Sequence, residues 1–368
     1  MADQEETAAH PQLTDSLAAR RRIAAHIRET PLTQSPSLTA RHGAPVHLKC
    51  EHHQITGAFK LRGATNAVLS LTPEARACGV TAASTGNHGR ALAHAARLAG
   101  ARCIVCMSAL VPRNKVEAIE ALGAEARIVG LSQDDAQVEV DRLVAEEGMI
   151  ALPPFDHADV IAGQGTLGVE MLMQLPEADT LVVPLSGGGL IAGVAMAAKT
   201  MKPQIRIVGV SMRRGAAMHD SLVAGRPVAV EELPTLADSL GGGIGLDNRH
   251  TYAMVQALVD DVILVDESEI AEAIRHAYLE ERQIVEGGGE AAALGLDVAD
   301  EAAWAKAMET VVERFGGLDV LVNNAGVASA ARPLETLSLE SWRRLTSINL
   351  DGVFYTFGIA ATVFYTAL

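Results

Sequence analysis

The sequence predicts an α/β fold built on parallel sheets, and two patterns along the chain support this. Between about residues 45 and 290, short β-rich runs alternate with helical patterns, as expected of βαβ units. Twice, at 80–99 and at 180–198, an apolar strand runs through a turn of small residues into an apolar helix. The predicted strands are 46–49, 103–107, 126–129, 180–184, 206–210 and 261–265. The predicted helices include 87–99, 113–122 and 134–147.

Composition narrows the class of protein. The 368 residues carry a net charge of -15, and 49% of them are hydrophobic, which is ordinary for an α/β enzyme of two to three compact units. An acidic chain without clustered Lys and Arg is not expected to bind nucleic acid. The start, 1–11, has no apolar core of a signal peptide, so a cytoplasmic location is expected. No membrane association is expected either, although the apolar tail 352–368 leaves a terminal anchor as an alternative.

The four cysteines lie in the first third of the chain, and two of them match the C-x-x-C pattern. Cys103 and Cys106 fall within the apolar run 103–107, where residues three apart face opposite sides of a strand. The sequence therefore predicts reduced core thiols rather than a redox or metal pair.

The first motif with chemical potential is 56–64, Thr-Gly-Ala-Phe-Lys-Leu-Arg-Gly-Ala. A lysine in a helical pattern is normally a solvated surface residue. Lys60, however, follows a glycine turn and has small and apolar neighbours, a setting that would desolvate the ammonium group and lower its pKa. Such a lysine is a competent nucleophile toward an aldehyde.

Two further motifs place small residues at the start of a helix. In 83–89, Ala-Ser-Thr-Gly-Asn-His-Gly, hydroxyls and N–H groups could bind a carboxylate or phosphate; an ordinary N-cap is the alternative. In 186–190, Ser-Gly-Gly-Gly-Leu, the glycines let N–H donors approach an oxyanion. The second motif lacks the spacing of a Walker loop or a dinucleotide fingerprint.

In this order and spacing the three motifs resemble the fold-type II pyridoxal-phosphate enzymes, in the threonine/serine dehydratase group. The resemblance covers about residues 30–288. Within the group, 132–136 and 235–243 look closest to the hydroxyectoine-utilisation dehydratases. The resemblance implies two open, twisted, mostly parallel sheets with helices on both faces, a large domain from 1–48 and 151–289, and a small domain from 49–150.

The resemblance also implies a cofactor, a reaction and a set of site residues. Pyridoxal 5'-phosphate would be bound to Lys60 as a Schiff base, and Lys60 would then move the α-proton. A β-hydroxy amino acid such as threonine or serine, or one derived from hydroxyectoine, would lose water and ammonia to give a 2-oxo acid. A homodimer is expected. The cofactor would contact Phe59, Lys60, Asn87, Ser186, Gly187, Gly188, Gly189 and Leu190. The substrate would contact Ser84, Thr85, Gly86 and His88.

Two departures from the group's patterns refine these expectations. Serine racemases of the group have a serine before the Gly-Asn-His of the loop, where this chain has Thr85, so dehydration is favoured over racemisation. Some relatives bind a divalent cation through a glutamate after a Gly-Val pair. Here 209–210 is followed by Ser-Met-Arg-Arg at 211–214, so no metal is expected.

The last part of the chain, about 290–358, resembles an internal fragment of a short-chain dehydrogenase/reductase. The match rests on Gly-Leu-Asp-Val-Leu-Val-Asn-Asn-Ala-Gly at 317–326. The glycine-rich cofactor loop and the Y-x-x-x-K motif of that family are absent, so hydride transfer is not expected. The fragment replaces the turn whose serine would bond the pyridine nitrogen, and 318–324 could substitute for it. The alternatives to a dehydratase are an inactive chimera that binds pyridoxal phosphate and an NAD(P)-dependent oxidoreductase.

Overall fold

The computed structural model describes residues 10–84, 86–111, 113–283 and 285. The chain divides into two units, Met1–Ala291 and Ala292–Leu368, and the description below concerns the first. The predicted dehydrogenase-like fragment 290–358, and the proposed docking of 318–324, lie outside the described residues.

The described part contains short strands and longer helices in alternation. The strands are β1 (Leu32–Gln34), β2 (His47–Lys49), β3 (Val80–Ala83), β4 (Cys103–Met107), β5 (Glu125–Ile128), β6 (Ile150–Ala151), β7 (Thr180–Pro184), β8 (Arg206–Met212) and β9 (Asp261–Val265). The helices are α1 (Leu13–Ile23), α2 (Pro36–His42), α3 (Lys60–Ser70), α4 (Pro73–Ala77), α5 (Asn87–Ala99), α6 (Arg113–Glu120), α7 (Gln133–Glu147), α8 (Ala158–Gln174), α9 (Gly189–Met201), α10 (Ala217–Ala224), α11 (Thr251–Leu258) and α12 (Glu267–Leu279). Short 3₁₀ turns lie at Glu51–His53 and Asp238–Leu240.

One sheet has the order β5-β4-β3-β6, and all of its strand pairs are parallel. Its two faces are covered by different helices. Val105 lies in the same buried cluster as residues of α3, α5 and α6. On the opposite face, Ile104 packs with residues of α7. Cys103 belongs to the first cluster and Cys106 to the second, so the prediction that these buried thiols face opposite sides is confirmed.

The other parallel sheet has the order β7-β8-β9. On one face, Leu181, Val183 and Ile207 pack with the buried residues of α8 and α9. On the other face, Met212 packs with Ile270 of α12. Both sheets therefore have helices on both faces, and the carboxyl ends of β3 and β7 lead directly into the two small-residue turns.

Four predicted segments, 87–99, 103–107, 180–184 and 261–265, coincide with α5, β4, β7 and β9. Elsewhere the predicted limits were wrong by one or two residues. Helix α6 ends at Glu120; beyond Ala121, the N–H groups of Leu122 and Gly123 bond three residues back, to Ile119 and Glu120, which tightens the last turn. Strand β1 was not predicted; it pairs with β2 in a two-stranded antiparallel sheet.

None of the helices in the described ranges is long and apolar enough to cross a membrane. Within the same residues, no group of three or more His, Cys, Asp and Glu side chains could hold a metal ion. The expectation that the protein needs no metal stays a prediction.

Candidate active site

Lys60 is the first residue of α3, directly after Phe59 in the N-cap position. Its Nζ donates a hydrogen bond to the carbonyl oxygen of Pro154 at 2.8 Å and lies 5.3 Å from the centre of the Phe59 ring. Burial lowers the pKa of the Lys60 ammonium from 10.5 to about 8, because a charged group loses hydration in an apolar setting. The desolvation predicted from the neighbouring residues is therefore confirmed.

A buried ion cluster anchors α3 two residues beyond Lys60. The Arg62 guanidinium is fully buried and donates to Glu51 and Glu170 at 2.8–2.9 Å. Lys49 Nζ lies 2.6 Å from Glu170 Oε1. Two cations and two carboxylates thus neutralise one another, which buried charges require. The cluster ties α3 to α8 and β2, so it fixes the backbone from which Lys60 extends.

The first small-residue turn follows β3 and begins α5 at Asn87. Ser84 Oγ accepts hydrogen bonds from the N–H groups of Gly86 at 3.4 Å and Gly89 at 3.1 Å. Gly86 occupies the N-cap position, with φ -127°. Thr85 lies outside the described residues. Ser84 therefore helps to cap the helix, as the alternative interpretation required, while the turn stays at a helix N-terminus where anions bind well.

His88 is buried, with 2% of its surface exposed, and its Nε2 lies 2.8 Å from the carbonyl oxygen of Leu152. A carbonyl oxygen only accepts, so Nε2 bears the proton. Burial, and next the charge of Lys60, lower the pKa of His88 to about 3, so the ring is neutral. Its Nδ1 is then an acceptor, and it is buried without a hydrogen-bond partner among the described residues.

The second turn follows β7 and begins α9 at Gly189, with Gly188 at φ +87° in the N-cap position. Its shape depends on close packing. A Cβ at Gly187 would lie 2.4 Å from ring carbons of Phe155, and one at Gly189 would lie 2.8 Å from the Phe155 backbone. Ser186 Oγ donates to the carbonyl oxygen of Leu240 at 2.8 Å. Only glycine fits Gly187 and Gly189, so these two positions place no side chain beside the backbone N–H groups of the turn.

A segment that the sequence analysis did not select, 152–156, connects all three motifs. Its carbonyl groups accept hydrogen bonds from His88 and Lys60, and Phe155 packs against the glycine turn. The structure therefore brings Lys60, His88 and the turn 186–190 together around five consecutive residues. The Pro-Pro pair at 153–154 marks a break after a strand, yet no local signal shows what the segment contacts.

Two family models match the chain. One, described as pyridoxal-phosphate dependent enzyme, matches residues 23–313, which is most of the chain. The other, described as enoyl-(acyl carrier protein) reductase, matches residues 268–366. The first match includes all of the predicted site residues, and the second overlaps the tail that resembles a dehydrogenase.

Similar proteins are found among both curated sequences and solved structures. A putative threonine dehydratase of Sinorhizobium fredii is 61% identical over 271 residues, 74% of this chain and 82% of the relative. An L-threonine ammonia-lyase of Geobacter sulfurreducens is 40% identical over 268 residues, 73% of this chain and 66% of the relative. The structure of maize serine racemase is similar with a TM-score of 0.73 and 35% identity, covering 76% of this chain and 85% of that one. Threonine deaminase isoform 2 of Solanum lycopersicum, in its processed form, gives a TM-score of 0.71 and 36% identity, with 75% of each chain covered.

Proposed function

The chain belongs to the pyridoxal-phosphate dependent enzymes, and from that premise we propose that it is an ammonia-lyase acting on a β-hydroxy amino acid. The substrate would be threonine or serine, and the products a 2-oxo acid and ammonia. The similarity to serine racemase and threonine deaminase confirms the predicted fold-type II architecture, and pyridoxal 5'-phosphate is the cofactor. The observation on which the proposal depends is the Lys60 amine, whose pKa is lowered to about 8.

The geometry of the site suits pyridoxal phosphate. The turn 186–190 excludes side chains on steric grounds and lies at the N-terminus of the 13-residue helix α9, where a phosphate is stabilised by N–H groups and the helix dipole. Lys60 offers an amine for the aldehyde. We assign Phe59 to one face of the pyridine ring and Asn87 to the phenolic oxygen, as the family resemblance implies.

The cofactor, when bound, supplies the electron sink that makes the α-proton of an amino acid acidic. Lys60 Nζ is the proton acceptor in this proposal, and a pKa of about 8 means that roughly a tenth to a fifth of it is neutral near physiological pH, far more than for an ordinary lysine. The protonated form has a carbonyl oxygen nearby, since Pro154 accepts a hydrogen bond from Nζ. Lys60 Nζ can therefore accept the proton and, once protonated, stay in position through its hydrogen bond to Pro154.

The start of α5 is the proposed site for the substrate carboxylate. Its first N–H groups have no acceptor within the helix. Ser84 Oγ accepts two N–H bonds and still has one proton to donate, which we assign to the carboxylate. His88 is buried and neutral. We therefore propose that its ring holds the turn in position through the hydrogen bond to Leu152. The contact of His88 with the substrate carboxylate would be made by its backbone.

The test of this proposal is cofactor attachment followed by product formation. Pyridoxal phosphate should give an absorbance band near about 410–420 nm, the range expected when a protein amine binds its aldehyde. Lys60→Ala should abolish the band. Lys199→Ala should keep it, because Lys199 lies on α9 rather than α3, where it forms an ion pair with Asp260. Release of 2-oxo acid from threonine or serine should then be lost in Lys60→Ala alone. A band without 2-oxo acid would favour the inactive chimera.

The lowered pKa of Lys60 gives a second, independent test. Only the neutral amine attacks an aldehyde, so the rate of cofactor attachment should rise as the pH increases through about 8. An unperturbed lysine would place that rise near pH 10.4, its usual pKa. Stopped-flow absorbance of the apoprotein mixed with pyridoxal phosphate measures the midpoint, and a midpoint near 10 would contradict the assignment.

The substrate, the stereochemistry, the domain limits, the oligomeric state and the location are further proposals. Segments 132–136 and 235–243 support a hydroxyectoine-derived substrate, and a comparison of kcat/KM for that amino acid and threonine tests it. Because serine racemases are among the similar proteins, the chirality of serine recovered from the reaction should also be measured. Little D-serine is expected. We also propose the large and small domains with the predicted limits, a homodimer and a cytoplasmic location; light scattering tests the dimer.

The tail also belongs among the proposals. The match of residues 268–366 to a reductase family supports the assignment of about 290–358 to a short-chain dehydrogenase/reductase fragment. No lysine follows Lys306, so the Y-x-x-x-K motif is absent and we propose that the tail transfers no hydride. NAD(P)H oxidation with carbonyl substrates by the full chain would overturn this.

A further inference from the structure

The carboxylate of Asp156 holds the beginning of α11 through three hydrogen bonds. Its Oδ2 accepts the N–H of Arg249 at 2.6 Å, and its Oδ1 accepts those of His250 and Thr251 at 2.9 Å each. His250 is the N-cap of α11 and has no side-chain cap of its own. A residue 93–95 positions earlier in the chain thus supplies the acceptor that the first N–H groups of a helix need.

Helix α11 in turn packs behind the glycine turn. A Cβ at Gly188 would lie 3.0 Å from Cβ of Thr251 and 3.2 Å from a methyl of Val255. Thr251 is fully buried, and so is Val255. Helix α11 therefore forms part of the wall beside Gly188, together with Met218 of α10, whose Cε would lie 2.7 Å from the same Cβ. Asp156 holds the start of α11 in this wall.

Phe155, the neighbour of Asp156, bounds the same turn through Gly187 and Gly189. Two consecutive residues therefore confine the turn, Phe155 by direct contact and Asp156 through α11. Neither residue belongs to the three motifs. Their contacts converge on the N–H groups proposed to bind phosphate.

We propose that Asp156 and Phe155 are positioning residues for the phosphate of the cofactor. They act through the turn 186–190, and this rests on the proposed role of that turn. Without the Asp156 carboxylate, three N–H groups lose their acceptor and the start of α11 loosens behind Gly188. The turn then samples other shapes, and affinity falls for ligands that bind through a phosphate.

The test compares pyridoxal phosphate with pyridoxal, which has the aldehyde but no phosphate. In Asp156→Asn the amide NH₂ group cannot accept, so the Kd for pyridoxal phosphate should rise about tenfold, the effect of losing one charge-assisted hydrogen bond. The Kd for pyridoxal should change less than about twofold. Asp156→Glu keeps the carboxylate and should restore most of the affinity.

Two controls separate positioning from general destabilisation. Asp266→Asn makes the same substitution at the N-cap of α12, where Asp266 Oδ1 accepts the N–H groups of Ser268 and Glu269; its preference for pyridoxal phosphate should equal that of the wild type. Phe155→Leu should act like Asp156→Asn. The ³¹P resonance of bound cofactor should move toward that of free pyridoxal phosphate in both positioning variants, and stay in place in Asp266→Asn.

The outcomes distinguish this inference from the proposed function. Equal weakening of pyridoxal and pyridoxal phosphate in Asp156→Asn, with an unchanged ³¹P resonance, would overturn the positioning role while leaving the function intact. Failure of the wild type to form the absorbance band would overturn the function itself.

Discussion

The turns after β3 and β7 occupy equivalent places, each between the carboxyl end of a parallel strand and the N-terminus of a helix, but they are stabilised differently. The turn 84–89 is organised by hydrogen bonds: two backbone N–H groups donate to Ser84 Oγ, and His88 Nε2 donates to the carbonyl oxygen of Leu152. The turn 186–190 is organised by contact, with Phe155 against two of its glycines.

Because of this difference, the two anion-binding turns are expected to be sensitive to different kinds of substitution. An added methyl group at Gly187 or Gly189 should disturb the turn 186–190, whereas one at Gly86 should be tolerated. Loss of a polar atom within the turn, or a change of pH, should instead disturb the turn 84–89. A substrate that arrives and leaves suits the polar turn, whose hydroxyl and N–H groups can rearrange. A cofactor that stays bound suits the turn that packing holds rigid.

Gly187→Ala should have the largest effect. Its methyl group would lie 2.4 Å from the Phe155 ring, and overpacking of this kind costs about 1–3 kcal/mol. The Kd for pyridoxal phosphate should therefore rise about 10- to 100-fold, as measured by absorbance titration. The double variant Phe155→Ala/Gly187→Ala should recover part of the stability in thermal unfolding, because the smaller side chain leaves room. A tolerated Gly187→Ala would show that packing does not control this turn.

The polar turn should instead lose stability in acid through His88. Its pKa is about 3 in the folded protein and 6.5 when unperturbed, so the unfolded chain binds a proton between these values while the folded protein does not. The free energy of unfolding is therefore fully retained above pH 6.5 and falls as the pH decreases toward 3, by about 1.4 kcal/mol per pH unit. Urea denaturation at pH 7 and pH 5 measures this.

His88→Asn is the variant that isolates the effect. Asn does not titrate, so the stability difference from the wild type should shrink by about 2 kcal/mol between pH 7 and pH 5. His157 also has a pKa lowered by burial, and His157→Asn serves as the comparison for a histidine on the neighbouring segment. A constant difference between wild type and His88→Asn would mean that the ring is charged or exposed in solution.

The sequence predicted these turns but not the contacts that stabilise them. Strong periodicity and glycine or serine punctuation located β4, β7 and α5 and the motif at Lys60, because these signals are local. Strands β1 and β6 have only three and two residues, too few to show a period. The neutral state of His88 and the role of Phe155 arise from partners 64 and 32–34 positions away, and no local pattern encodes such contacts.

Ser84→Ala should have a smaller effect than the two changes above. Two N–H groups would lose their acceptor. The free energy of unfolding should fall by only about 1 kcal/mol, because Gly86 is partly buried. If the hydroxyl also donates to the substrate carboxylate, KM for the amino acid should rise about tenfold while the cofactor band is unchanged. Ser70→Ala, which removes a hydroxyl bonded to Asn66 at the end of α3, is the control. An unchanged KM in Ser84→Ala would remove Ser84 from the substrate site.

Gly86→Ala should have the smallest effect, although it changes a glycine in an equivalent turn. A Cβ at Gly86 would meet nothing within 4 Å, and its φ of -127° is not in the left-handed region that favours glycine. Alanine also restricts the unfolded chain, so the free energy of unfolding should stay the same or rise by up to about 1 kcal/mol. The same substitution at Gly187 should lower it, and urea denaturation of both variants gives the difference directly. Equal losses in the two variants would mean that the contrast between a polar and a packed turn does not hold, because a side chain would then be excluded from Gly86 as it is from Gly187.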